Sequence, residues 1–402
     1  MLSSLHGSAG AITALQNSVA HYYQRASSAD YLGVDPTRRS LTGTGGYVKV
    51  GRKGNAKWNF SETFTWSSPG FDLNDMGYMK ETDYLMNETE IMYRQTDIWK
   101  IFRYNAFTLS QKNMWNYGGT PFSNNASLRW QSMTMNRYEW DVKETFAWNW
   151  LDSRLLRGGP DVRFGSYFLT SAKFNTDKAK RMMFMLKYEG DHNFEGNRFN
   201  TISPSLTFRL GNHVYLSGQL DYAWNTDEMQ YVATTSPLSS SSLAPYYYVM
   251  GHMDQKTYGL TLKLQVNVTP DISIQFYGAP FTSIAKYDDF KLAADTKSHT
   301  FENRFQRIDP DQLTYADGVY TIGEGAGQMP FRNPDFRFNE FRSNLVARWE
   351  YLPGSTLYFV WEHRMSNRDN WYSSGWGSNL DRMWGLPATN TFMIKMNYWF
   401  NL

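Results

Sequence analysis

A chain of 402 residues has room for two or three soluble domains or for one large closed sheet, and its net charge of +2 spreads over interleaved acids and bases. No basic stripe is available for nucleic acid, and the absence of cysteine removes disulfides and thiolate metal sites. Aromatic residues make up 17% of the chain, yet mean hydropathy is −0.57 and the longest apolar run is about Met182 to Leu186, far short of the ~18 residues a spanning helix needs.

Helical membrane proteins are thereby excluded. Many Trp and Tyr in a chain of low mean hydropathy suit a membrane β-barrel, where only alternate residues meet lipid and aromatics gather at the interfaces. Met1 to Gly10 shows no positively charged region leading into an apolar core, so no signal peptide is visible. An outer-membrane reading therefore expects the mature or truncated part of a longer precursor. Residues 1–9 are read as a periplasmic N-terminal segment and 10–402 as a single barrel domain.

In chain order the pattern predicts sixteen strands: 10–22, 39–51, 55–66, 84–97, 102–116, 119–134, 138–150 and 163–175 in the first half. The second half gives 180–192, 197–210, 213–232, 245–268, 271–288, 337–352, 355–367 and 390–402. Every second connection is short and turn-like, as at Arg52-Lys53-Gly54-Asn55, Asn136-Arg137, Gly211-Asn212 and Pro353-Gly354-Ser355. Most others are long: 23–38, 67–83, 151–162, 233–244, 289–336 and 368–389. Short turns at one end and long loops at the other predict an all-β, transmembrane, antiparallel up-and-down barrel with periplasmic turns. The even count places both termini at the periplasmic end.

Alternation is cleanest late in the chain. Leu216, Leu220, Tyr222 and Trp224 share a face opposite Ser217, Gln219 and Asp221; Tyr258 to Val268 alternates likewise with Thr261, Lys263, Gln265 and Asn267. A slip of one residue would put these charges into lipid at about 2–4 kcal/mol for a basic group near the midplane, so the pattern fixes the register. The early strands are less regular. Glu144 falls on the face of Trp140, Val142, Phe146 and Trp148, and Glu62 lies between Phe60 and Phe64, which predicts a bulge or a rim position. Pro204 within 197–210 also predicts a bulge. In the last strand Phe392, Ile394, Met396, Tyr398 and Phe400 form one face, the expected barrel-assembly signal, opposite Thr391, Met393, Lys395, Asn397 and Trp399. A soluble propeller would also alternate, but no repeat near ~40–50 residues is present.

Further words along the chain carry a resemblance. They are Tyr22-Tyr23-Gln24-Arg25, Leu41-Thr42-Gly43 with Gly45-Gly46, Ser68-Pro69-Gly70-Phe71, and Leu73 to Tyr78. Arg157-Gly158-Gly159-Pro160, Pro334-Asp335-Phe336, Phe341 to Leu345, Arg348 to Tyr351, Pro353 to Leu357 and Lys395 to Phe400 complete them. In this order the chain resembles the DUF5916 family of Bacteroidetes-type envelope proteins, specifically its C-terminal barrel region. The resemblance implies an outer-membrane location. It also implies a signal peptide and an N-terminal sandwich similar to a carbohydrate-binding module, neither of which is in this sequence. It implies no biochemical activity.

Catalytic and metal signatures are absent. The seven histidines hold no ligand spacing, and Glu362 and His363 are strand neighbours facing opposite ways. Gly323-Glu324-Gly325-Ala326-Gly327 lacks the Lys-Ser/Thr of a phosphate loop. No cofactor, metal or catalytic residue is expected. The candidate lumen lining is Lys187, Glu189, Gln219, Asp221, Lys263, Gln265, Asn267, Arg348, Glu350, Glu362 and Lys395, a mixture of signs that favours neutral or zwitterionic solutes. In the loops, Asp309, Asp311, Asp317 and Glu324 of 289–336 are candidates for gating or binding a solute, and Asn74, Asp75 and Tyr78 of 67–83 for capping the rim.

The functional expectation is a barrel passing or binding a small polar solute, with carbohydrate among the candidates. One alternative is a plugged barrel that anchors a partner or displays loops; another is a membrane-embedded hydrolase using carboxylates. Expected partners are outer-membrane lipid, the barrel-assembly machinery and a periplasmic or surface protein.

Overall fold

Period-two alternation allows few ways to hide one face and wet the other, and from Ser40 onward the chain takes the simplest, a meander of antiparallel strands. The structure, a computed structural model, describes all residues except 26, 27, 29, 75, 76, 239–245, 370–375, 401 and 402. Its elements begin with β1 (Leu2–His6), α1 (Ala9–Gln16), β2 (Ser40–Arg52), β3 (Trp58–Ser67) and β4 (Tyr84–Gln95). They continue with β5 (Phe102–Trp115), β6 (Pro121–Thr134), β7 (Glu139–Trp148), β8 (Trp150–Asp152), β9 (Val162–Phe164), β10 (Tyr167–Asn175) and β11 (Met182–Asn193). Next come β12 (Arg198–Leu210), β13 (Val214–Thr235), β14 (Tyr247–Asn267) and β15 (Ile272–Ala293). Short strands β16 (Phe305–Arg307), β17 (Leu313–Ala316), β18 (Val319–Ile322) and β19 (Met329–Arg332) precede β20 (Phe336–Leu352), β21 (Ser355–Asp369), α2 (Trp376–Trp384) and β22 (Thr389–Asn397).

One sheet of 17 strands holds most of these. Pairing passes from each long strand to the next, with β7 joined to β10 and β15 to β20 across the loops between them. Each predicted strand from 39–51 onward has its counterpart. The first does not. Residues 10–22 were expected as a strand, but Ser8 caps a helix there by accepting the Ala11 N–H at 3.2 Å. Alanine at 9, 11 and 14 favours the helix, and Ile12 and Gln16, one turn apart, are its buried side. The even strand count and the termini at one end both rested on that strand. The described residues of 7–39 instead sit at the loop end, while β22 finishes beside the turn at Gly354, where the Ser355 hydroxyl accepts the Trp399 N–H at 3.0 Å.

Residues 2–6, read as lying outside the barrel, form β1 on the edge of β2 opposite β3. Gly45 exchanges both backbone bonds with Met1, whereas neighbouring Thr44 turns its own to Ser68. Among the described residues no pairing joins β22 to β1 or β2. The sheet is therefore open where a closed ring was expected.

The two faces follow from the register. Ser217, Gln219 and Asp221 of β13 lie opposite Lys263, Thr261 and Gly259 of β14, and the same face runs on through Tyr277 to Asn344 and Glu362. One cavity on this face is lined by residues of β4 to β12, so the sheet curls with its polar side inward. The outer face carries large exposed side chains on consecutive strands, including Phe107, Leu128, Phe146, Phe168, Phe184, Leu206, Leu216 and Leu262. An aromatic contact ties neighbouring strands there, Tyr222 lying 5.0 Å from Tyr258; such a cross-strand pair contributes about 0.2–1 kcal/mol. Pro204 causes no bulge. Its ladder lapses at 203–204 with the register unchanged on both sides, and the Ser203 hydroxyl bridges the gap to Asp221 at 2.6 Å.

The long stretch after β15 is a folded body. Strands β17 to β19 form a separate three-stranded sheet, whose Ile322 and Phe331 pack on Val249 and Phe290. The adjacent residue, Met250, faces the other way into a cluster with Leu156, Val162, Met229 and Phe305. The tall ends of β13 to β15 are thus covered on both sides. On the outer face α2 rests against β20, with the Trp384 ring 4.9 Å from Phe341 and buried Arg337 bonded to Asn379 and Asp369.

Candidate functional site

Chemistry-bearing side chains collect in two places, along the inner face and at its loop end. The register puts all the candidate lining residues on the inner face: Lys187 and Glu189 of β11, Gln219 and Asp221 of β13, and Lys263, Gln265 and Asn267 of β14. Arg348 and Glu350 of β20, Glu362 of β21 and Lys395 of β22 complete the set. Several bond to one another along their own strands, two residues apart. Lys187 meets Glu189 at 2.8 Å, Arg348 meets Glu350 at 2.5 Å, and Gln219 donates to Asp221 at 2.9 Å. Sequence reasoning missed Arg129, which grips Asp141 on the adjacent strand with two bonds of 2.7 and 2.5 Å. It also missed Glu340, which accepts from Arg342 and Arg364 at 2.8 and 2.9 Å. Arg129 with Asp141 and Glu340 with Arg364 pair across strands, and only a register brings such partners together.

A cavity of about 590 Å³ opens on this face between β4 and β12. Glu88, Lys112, Lys143, Glu189 and Asp191 supply charges of both signs, and Ser110, Ser127, Thr145 and Ser171 supply hydroxyls. Glu88 and Lys112 stand directly opposite each other. Only Glu189 of these was anticipated, because β4 and β5 mix Met, Glu and Arg with no clean period. Such a lining can solvate a polar molecule through hydrogen bonds and balanced charge. Among the described residues no group of His, Asp and Glu could hold a metal ion.

At the loop end the described residues of 7–39 fold onto the inner face. Ile12 and Tyr23 bury against Leu41 of β2. Gly43 and Gly45 are required by what lies over them: a Cβ on Gly43 would stand 2.1 Å from the Phe71 nitrogen, and one on Gly45 would stand 2.3 Å from the Phe71 ring. Asp83, with φ of 62° and 2% exposure, is the hub of this assembly. It accepts from Arg25 and from the Tyr31 hydroxyl, each at 2.7 Å, and from the Tyr117 N–H at 3.1 Å. Burial and the bond to Asp83 push the Tyr31 hydroxyl up, and burial pushes Tyr23 up to about 12. Burial also lowers His21, against the opposing pull of Asp72 at 3.9 Å. Next to this assembly a second cavity of about 710 Å³ lies among Tyr22, Glu81, Arg154 and Arg157, with Lys112 and Asn125 beneath.

The predicted loop residues do not converge. Tyr78 is 89% exposed, Asn74 caps its own loop by accepting the Met79 N–H, and Asp75 lies outside the described residues. Asp309 accepts the Asp311 N–H at a short helical turn, while Asp317 and Glu324 are exposed in turns of the three-stranded body. What sequence reasoning could have used is glycine: Gly43 and Gly45 precede a Gly70-Phe71 pair, and close backbone approach needs both partners to be small or flat.

Comparison with known proteins adds one finding. A model of a domain of unknown function, DUF5916, matches residues 7–402. No curated protein and no solved structure matches the chain.

Proposed function

We propose, for a chain that belongs to the DUF5916 family, that the curled sheet is the wall of an outer-membrane β-barrel of about sixteen strands, and that its inner face passes or binds a small polar solute. Carbohydrates and zwitterions are the solute classes that hydroxyls and balanced charge would accept. In this reading the turn end is periplasmic, the long loops are extracellular, and β1 stands in the upper half of the sixteenth position. The observation that carries the reading is the outer face: exposed Phe, Leu, Ile and Trp side chains recur on strand after strand. Monomeric soluble proteins rarely expose a contiguous apolar patch beyond a few hundred Å². Conductance of the purified protein in planar bilayers tests the pore, with steps of weak ion selectivity expected. Intact fold without conductance would remove it.

A second reading is supported by the loop end. The assembly around Asp83 and Phe71 lies across the inner face there, as a plug would in a barrel that serves as an anchor or scaffold for a partner. Removal of residues 7–39 with the remaining sheet folded would raise conductance under this reading and leave it unchanged under the first.

A further inference from the structure

The apolar outer face is broken at two places: on β7 and β10, where Glu144 and Thr170 satisfy each other at 2.7 Å, and more widely on β3 to β6. On β3 to β6 the outward positions include Glu62, Asn87, Thr89, Gln111, Asn113 and Asn124. They form two adjoining cross-strand rows: Glu62 beside Thr89 beside Gln111, and Asn87 beside Asn113 beside Asn124. Toward the loop end the same strands present Trp66, Leu85 and Trp115, and toward the turn end Phe60, Ile91 and Leu109. The polar group is therefore an island within the belt and not the edge of the belt. At strand spacings of about 4.8 Å and two residues of rise between rows, it measures roughly 15 by 7 Å.

The chain itself satisfies little of this polarity. Thr89 donates to Glu62 at 2.6 Å, while among the described residues no side-chain hydrogen bond is made by Asn87, Gln111, Asn113 or Asn124. In hydrocarbon, four unbonded amides and a carboxylate are expensive, and polar groups so placed drive association by bonding across an interface. We propose that this island is the docking surface for a second copy of the chain in the membrane. The proposal rests on the membrane reading above. The occupant follows from complementarity. Each amide both donates and accepts, so the island matches a rotated copy of itself, and the free lone pairs of Glu62 find donors in the partner's amides. A lipid acyl chain offers neither donor nor acceptor.

The absence of cysteine makes the test clean, because one introduced thiol is unique. Thr89→Cys, Gln111→Cys and Asn113→Cys, each in lipid vesicles under mild oxidation, are compared with Leu216→Cys on the opposite half of the belt. At least tenfold more covalent dimer is expected from an island site than from Leu216→Cys, and conversion of Asn87, Asn113 and Asn124 to Leu should abolish the excess while strand content is retained. Equal cross-linking at Leu216→Cys, or no dimer from any island site, would overturn the interface. Flotation of the same vesicles reads the membrane premise separately. Flotation without specific dimer sinks the interface alone, whereas specific dimer without flotation sinks the membrane reading alone.

Discussion

From β11 to β21 the outward residues below the loop end are almost all aliphatic or aromatic, whereas from β3 to β6 two polar rows interrupt them. At the loop end both halves join charge to apolar packing: the first through Asp83, Arg25 and Tyr31 beside Ile12 and Leu41, the second through buried Arg304 on Glu195 beside Ile322 and Phe331 on Val249. Under the membrane reading, a meander needs a continuous apolar face only where lipid would be its sole neighbour. Where the alternation weakens, the two carboxylates on the outer face have partners. Glu62 is bonded by Thr89, and Glu144 by Thr170 at 2.7 Å, each on the adjacent strand.

The largest expected effect tests the charged fixing of the first half. Asp83→Ala leaves Arg25 buried without its carboxylate, at about 3–5 kcal/mol, and denaturant unfolding should show that loss. A cost near zero would mean that apolar contacts alone hold this half. Next, Leu262→Arg should cost about 2–4 kcal/mol in a bilayer, whereas Gln111→Arg inside the polar island should cost well under half of that. Equal costs would erase the distinction between the halves.

These residues also show how far the sequence could be read. Strong alternation, as in Tyr258 to Val268, has one solution, so strands, register and the inner face were legible. Residues 10–22 were not, because a short helix under a Ser8 cap carries apolar residues that also fit a strand over a few positions. The loop-end site was out of reach for another reason. Asp83 meets Arg25 and Tyr31 over separations of 58 and 52 residues, and nothing local announces that meeting. The irregularities at Glu62 and Glu144 were visible, but their cross-strand threonines could be assigned only from the register.

Smaller effects sharpen the same contrast. Thr89→Val removes the donor from Glu62 and should cost about 1 kcal/mol, a loss absent in a Glu62→Leu background. Loss of the same size in both backgrounds would show that the pair is not coupled. The smallest effect is a pH dependence at the loop end. His21 is held below its ordinary value of 6.5 by burial, so below that pH the unfolded chain takes up a proton that the folded chain resists. Stability is then full above pH 6.5 and falls as the pH drops through it, and His21→Gln should flatten that fall. An unchanged slope would place the pH sensitivity elsewhere.

The central claim is that the exposed apolar face lies in a bilayer. Refolding the chain with lipid vesicles and floating them through a density gradient measures this directly. The account predicts that the protein rises with the lipid and resists extraction by high salt and carbonate. Folded, monodisperse protein remaining at the bottom of a detergent-free gradient would contradict it.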